Sequence, residues 1–494
     1  MSSNIPIMSL YDRLSQCEVN LVDSPIQQQA SFLPLTCLDD NITKPTISKQ
    51  LSFSTKLFHP NVADKILRNG RKIFAILTLI GEQRTIRQMI QEGLTDEHLP
   101  LSNSDSEDKS NNILVSKNDD KQFKCFASLD RVRVRDFLMW QWALQAPVFE
   151  GFGQHIDIDA KCPLPLISCT EVNDAPGQVY KATIHSDHLK GAVAHGSHLQ
   201  VAIKELKTWK EFDKERENLR KIQHLEHKHL IKLIATCTRA SANYVIFPWA
   251  DGGNLGQFWK QQDSNRTREV ALWSLRQMLG LVGALVALHS GNCRHGDLKP
   301  ENILHFKEEG ILVISDVGVS KFHNKATRLR EAPTNTRATT PIYEAPETHD
   351  PDNPRSRRWD MWSMGCMFLE HTIWLLYGHQ VMMRFRRSRI SDDPQIDNGS
   401  FYRRTDQDTD PVHFQVRKAF ERLRQDPCCQ AGTALGDLVS LISRHLLVSL
   451  EERADAEMLF VKLEEIVDKS EESSSYFRIK FDSEAETRRF LEVL

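Results

Sequence analysis

The chain has 494 residues, 40% of them hydrophobic and 26% charged, a globular composition with length for two or three cores. Its 63 basic and 66 acidic residues leave a net charge of −3, so a dedicated nucleic-acid binder, which needs a basic face against phosphate, is not expected. Ten cysteines stand scattered, none in the spacing of a zinc knuckle or redox pair, which reads as reduced thiols in the cytosol or nucleus. No apolar run reaches the ~18–20 residues of a membrane span, and no basic start precedes an apolar core at the N-terminus, so neither a membrane partner nor a secretory signal is expected.

Residues 1–55 mix Ser, Gln, Asn and Pro without clear period and are expected to be partly disordered. Residues 56–160 read as a helical N-terminal region. Ile73 to Ile80 forms a buried strand or helix there, and Ile86, Met89 and Ile90 follow helical spacing. Residues 102–121, rich in Ser, Asn, Asp and Lys, read as a linker with too little apolar surface to offset ordering entropy. An amphipathic helix with Phe137, Met139, Trp140 and Trp142 ends before Pro147, its tryptophans packing this region against the C-terminal two thirds of the chain. Strand-like runs then appear at Leu166 to Val172, Gln178 to Ile184, Gln200 to Leu206 and Tyr244 to Phe247, interrupted by a charged helix at about 209–223. After Asn254 the chain turns helical. Arg268 to His289 sets Leu275, Met278, Leu279, Val282 and Val286 on one face. Strands succeeded by helices predict an α+β fold of two lobes.

The segment Arg294-His295-Gly296-Asp297-Leu298-Lys299-Pro300-Glu301-Asn302 carries the most chemistry. Phosphoryl transfer from ATP to a hydroxyl needs a carboxylate to orient the hydroxyl and take its proton. It also needs a cation against the moving phosphoryl group and oxygen ligands for a hard metal ion. Asp297, Lys299 and Asn302 supply these in one short loop.

That segment resembles the catalytic loop of eukaryotic-type protein kinases, and further marks of the family occur in order over about 165–470. Val201-Ala202-Ile203-Lys204 is similar to the strand whose Lys holds the α and β phosphates. Asp316-Val317-Gly318 is similar to the metal-binding Asp-Phe-Gly, and Thr340 to Glu347 to the end of the activation segment. Asp360 to Gly365 resembles the start of the helix anchoring the large lobe. Glu451 to Leu459 resembles a late helix whose Arg453 pairs with Glu347. His227 to Leu233 resembles the loop into the fourth strand, and Pro248 to Leu255 the hinge that binds adenine, with Phe247 at the gate behind it. The hinge and the preceding helical region resemble kinases of filamentous fungi.

The resemblance implies the two-lobed protein kinase fold: a small antiparallel-sheet N-lobe (164–248) with helix C, a mainly helical C-lobe (254–470), and a tail at 471–494. It implies ATP with Mg²⁺ or Mn²⁺ between the lobes, and Ser/Thr of proteins as substrate. Asp297 and Lys299 would be catalytic, and Asn302 and Asp316 would hold metal. Gly177, Val179, Ala202, Lys204, Glu215, Phe247, Pro248, Trp249, Ala250 and Leu304 would hold the nucleotide. Glu215 is the helix-C partner of Lys204, with Glu211 and Glu217 as alternatives. Thr340 and Lys299 favour Ser/Thr over Tyr.

Three departures bear on activity. The glycine-rich loop keeps only Gly177, with Val172 and Asp174 at the two earlier positions, and Asp174 would repel phosphate. Gly296 replaces the Arg that usually meets a phosphate on the activation loop, which predicts activity independent of phosphorylation at Thr327, Thr334, Thr336 or Thr339. Val317 replaces a packing Phe. These features also suit a pseudokinase acting as an interaction scaffold, against which stand the intact Lys204, Asp297, Lys299, Asn302 and Asp316. Elsewhere, His185, His188, His195 and His198 read as a solvent-exposed loop rather than a metal site. Arg384, Arg386, Arg387 and Arg389 read as a solvated helix face rather than a docking patch.

Overall fold

The structure, a computed structural model, describes residues 8–27, 30–51, 61–104, 112–151, 153–173, 178–190, 197–317, 321–322, 341–349, 356–390, 399–403, 412–481 and 483–494. Asp174, Gly177, His195, Gly318, Thr327, Thr334, Thr336, Thr339 and Thr340 lie outside them. The chain divides into two compact units, one of residues 1–212 and 233–249, the other of residues 213–232 and 250–494. The N-terminal region thus belongs to the same unit as the strands that come after it.

In the first unit, residues expected to be partly disordered form the helices Leu10–Gln16, Leu35–Asn41 and Lys44–Gln50. Each is short and would be marginal alone. Leu10, Leu14, Leu38, Ile42 and Ile47 are buried in one core with Ile73, Phe74, Ile76 and Leu77 of the helix Arg71–Leu79. Ile86 and Met89 join that core from the helix Ile86–Gln91, with Ile90 partly buried against it. Part of the expected linker 102–121 is structured: Leu101–Asn103, Leu114–Ser116 and Gln122–Phe123 form a three-stranded sheet, with Leu101, Leu114 and Phe123 buried in the same core. The helix Arg131–Trp140 buries Phe137 but leaves Met139 exposed. Trp142, in the turn after it, packs with Leu21 and Ile26 onto a larger sheet.

That sheet has six strands in the order Gln154–Ile158, Ala235–Arg239, Ala242–Pro248, Leu199–Leu206, Gln178–Ile184, Leu166–Glu171. The five strands within 164–248 pair antiparallel, and Gln154–Ile158, before that range, adds an edge strand parallel to Ala235–Arg239. One face carries Tyr180, Ala182, Val201, Ile203 and Ile246 into the core with Trp142. The histidine loop is corrected as well: His188 is buried, its Nδ1 2.9 Å from the Pro147 carbonyl and its ring edge-on to Phe32. Among the described residues no group of three or more His, Cys, Asp or Glu could hold a metal ion.

The second unit is mainly helical. Arg268–Ser290 packs along Ala456–Glu472, and it buries Leu281, Leu285 and Leu288 besides Leu275, Met278 and Val282, while Leu279 and Val286 are only partly covered. Its length and apolar content match a membrane span, but 56% of its most apolar window is buried inside the protein, as in a core helix. Arg358–Tyr377 is buried along nearly its whole length. Arg453 is not on a helix but in the turn before Ala456–Glu472. The basic run at 384–389 is no solvated face: Arg384 and Arg387 are exposed, whereas Arg389 is buried and Arg386 is bonded to the buried Glu370. The C-terminal residues belong to this unit, with Phe490 buried against Tyr377.

Candidate active site

In the second unit the chain passes from a short strand, Cys293–Arg294, through the loop 295–299 into the single turn Pro300–Asn302 and the strand Ile303–Phe306. Asp360, in the first turn of the buried helix, fixes this loop. Its Oδ1 accepts the Gly296 N–H at 2.8 Å, its Oδ2 accepts the His295 N–H at 2.9 Å, and His289 Nε2 lies 2.9 Å from the same oxygen. Burial alone would raise the Asp360 carboxyl, but the His289 hydrogen bond and charge, His295 and the Gly296 N–H outweigh it and hold it below the ordinary aspartate value. His295 is fully buried. Its Nε2 lies 2.7 Å from the Ser315 carbonyl, which can only accept, so Nε2 donates and Nδ1 is left to accept the Asp297 N–H at 3.2 Å. Gly296 has φ +81°, a conformation open to glycine and strained for other residues.

These anchors bring three predicted residues together. Lys299 Nζ lies 2.9 Å from Asp297 Oδ2. Asn302 Nδ2 donates to the Asp297 carbonyl at 2.7 Å and to its carboxylate at 3.2 Å. The Asn302 carbonyl accepts the Ser315 N–H at 2.8 Å, which ties Asp316 next in sequence to the same loop. Asp316 has φ +55°, a left-handed conformation that costs a non-glycine residue of order 1 kcal/mol and recurs at functional positions. Val317 is buried. Leu304 and His305 are fastened to the segment after 250: His305 N–H donates to Gly253 O at 2.7 Å, Gly252 N–H to His305 O at 2.9 Å, and Asn254 pairs with Leu304. Ala250 is buried and accepts from the Gly253 N–H. On the helix Trp209–Ile222, Glu215 lies on the buried side with Asn218, Leu219 and Ile222, while Glu211 and Glu217 are not buried.

Beside Asp297 opens a narrow cavity, lined among others by Gly296, Tyr343, Glu344, Thr348 and Trp359. Arg453 holds the segment after Tyr343: its guanidinium pairs with Glu347 and donates to the Val448 and Arg358 carbonyls.

In the first unit, Lys204 pairs with Val179 on one neighbouring strand and Val245 on the other, while Ala202 pairs with Lys181 and Phe247. Directly paired residues share a face, so Val179, Ala202, Lys204 and Phe247 stand together, opposite the face that packs on Trp142. Pro248 pairs with Val201, the Trp249 N–H donates to Gln200 O at 3.1 Å, and Lys181 Nζ stands 4.9 Å from the Trp249 ring centre.

Reading the sequence missed the role of Asp360 in holding Gly296 and His295, although the residue opens the Asp360 to Gly365 motif. It also missed Glu370, whose partners come from distant segments.

The sequence profile described as the protein kinase domain matches residues 186–433. Curated relatives include the serine/threonine-protein kinase RUNKEL of Arabidopsis thaliana, 29% identical over 194 residues, 37% of this chain and 14% of the relative. The serine/threonine-protein kinase nekl-2 of Caenorhabditis elegans is 30% identical over 183 residues, 35% of this chain and 50% of the relative. The serine/threonine-protein kinase Nek5 of Mus musculus is 24% identical over 196 residues, 38% of this chain and 30% of the relative. The chain therefore spans half or less of the length of these relatives.

Proposed function

The chain belongs to the protein kinase domain family, and from that premise we propose that it transfers the γ-phosphate of ATP to Ser or Thr hydroxyls of protein substrates. The observation that carries the reading is the hydrogen-bonded group of Asp297, Lys299 and Asn302, anchored from beneath by Asp360. Asp297 orients the acceptor hydroxyl and takes its proton, and Lys299 steadies the γ-phosphate. Lys204, with Glu215 as its partner, grips the α and β phosphates, and Gly177, Val179, Ala202, Phe247, Pro248, Trp249, Ala250 and Leu304 receive the rest of the nucleotide. The Asn302 amide directs its Nδ2 at Asp297, which leaves its Oδ1 as an oxygen ligand. With the Asp316 carboxylate this suits a hard cation such as Mg²⁺ or Mn²⁺. Bound there, the cation would neutralise charge on the phosphates. Positioning and charge stabilisation supply the rate, with no covalent enzyme intermediate.

Gly296 belongs to the same reading: with no Arg before Asp297, activity does not depend on activation-loop phosphorylation. The likeness of the hinge to fungal kinases and a place in the cytosol or nucleus complete it, the latter supported by ten free thiols. The pseudokinase reading rests on Asp174, Gly296 and Val317 and requires the Asp297 group to be idle. Incubating the full chain with labelled ATP, Mg²⁺ or Mn²⁺ and a library of Ser, Thr and Tyr peptides tests the proposal. Label on Ser and Thr peptides supports it; label on none of them, with nucleotide still bound, favours the scaffold.

A further inference from the structure

Glu370 is a carboxylate with no exposed surface in the middle of the helix Arg358–Tyr377. An isolated charge there would be costly, and it is fully engaged instead. Arg386 donates to both of its oxygens, Nε to Oε1 at 3.0 Å and Nη2 to Oε2 at 2.7 Å. Arg389 Nη2 donates to Oε1 at 3.1 Å. Arg389 is itself buried, with the ring centres of Phe385 and Phe401 4.3 and 4.0 Å from its guanidinium and its Nε on the Gly399 carbonyl. The fourth member comes from another segment. The Tyr343 hydroxyl donates to Glu370 Oε2 at 2.8 Å and accepts from Arg386 Nη2 at 2.7 Å.

Tyr343 is also a wall of the cavity beside Asp297, and its carbonyl accepts from Ser363 Oγ at 2.7 Å. The network therefore ends where a peptide would have to lie to bring a hydroxyl to Asp297. Arg386 is the one member of this network that joins both Glu370 oxygens and the Tyr343 hydroxyl, in a planar geometry that a lysine cannot reproduce. We propose that Arg386 is a positioning residue for the protein substrate: acting through Tyr343 and Glu370, it fixes the wall of the cavity beside Asp297 and so sets peptide affinity. The role in substrate affinity rests on the kinase reading; the anchoring of Tyr343 does not.

The test compares the full chain with Arg386→Met, Arg386→Lys and Tyr343→Phe. Hydrogen exchange of the amides at 342–348 reads the anchoring without any reaction. Exchange at least about tenfold faster in Arg386→Met, with Arg386→Lys between it and the parent, is expected; unchanged exchange overturns the proposal. Steady-state transfer to a Ser/Thr peptide reads the role in affinity. Peptide KM is expected to rise about tenfold while ATP KM stays within about twofold. An equal rise in both constants, as a merely structural loss would give, overturns it. Tyr343→Phe keeps the Glu370–Arg386 pair and removes only the hydroxyl, so it carries the same two readouts should Arg386→Met not fold. Absence of transfer in the parent would overturn the kinase reading instead, and the exchange measurement would still decide the anchoring.

Discussion

Asp360→Asn probes the foundation of the candidate site. The carboxylate accepts on both oxygens, Gly296 N–H on one and His295 N–H with His289 Nε2 on the other. An asparagine can keep only one side. Turned the cheaper way, its oxygen stays on His295 and His289 and its amide N–H faces the Gly296 N–H. That removes one charge-assisted bond, ~1.5–3 kcal/mol, and strands a buried donor at ~1–3 kcal/mol, so the loss should total about 3–5 kcal/mol. Urea unfolding at pH 7 measures it as a fall in midpoint at constant slope. Because Gly296 immediately precedes Asp297, phosphoryl transfer should also slow by about ten- to a hundredfold in kcat, with ATP KM little changed. A loss below about 1 kcal/mol, or a full loss of stability with kcat intact, would refute the view that Asp360 positions the loop.

Gly296→Ala should destabilise by about 1–2 kcal/mol despite open space, since the nearest atom to an added Cβ is 3.8 Å away and the cost comes from φ +81° alone; thermal unfolding at equal pH checks it. Arg453→Met leaves Glu347 without this partner and removes the donor to two carbonyls, which should cost about 3–5 kcal/mol, read by urea unfolding. Stability should also fall as pH drops from about 6.5 toward 4. Burial pushes His188 and His229 down to about 4 and His371 to about 3. The folded state then holds fewer protons than the unfolded chain across that window, and each histidine withdraws up to about 3 kcal/mol. A melting temperature that stays flat from pH 7 to 4.5 would contradict this.

What the sequence disclosed depended on how local the determinants are. Asp297, Lys299 and Asn302 were legible because a single loop carries them and the loop's chemistry needs that order. The buried place of Glu215 was legible because helical spacing sets it in line with Phe212, Leu219 and Ile222, whereas Glu211 and Glu217 are not buried. The strand Gln154–Ile158 was not, because its parallel partner Ala235–Arg239 lies far along the chain, Gln154 pairing with Ala235. Arg386 and Arg389 read as solvated because their acid sits on another helix. His188 read as exposed because Phe32, which packs on it, comes from the far N-terminal segment. The N-terminal core drew on residues from 10 to 144, and short helices that depend on such distant partners leave little periodic signal.

The most direct test of the central claim is phosphoryl transfer by the full chain beside its Asp297→Asn variant, with labelled ATP, a divalent cation and a Ser/Thr peptide. Label on the peptide with the parent and essentially none with the variant, at matching melting temperatures, is the expected result. Equal labelling by both would contradict the assignment of Asp297 as the group that aligns the hydroxyl and takes its proton.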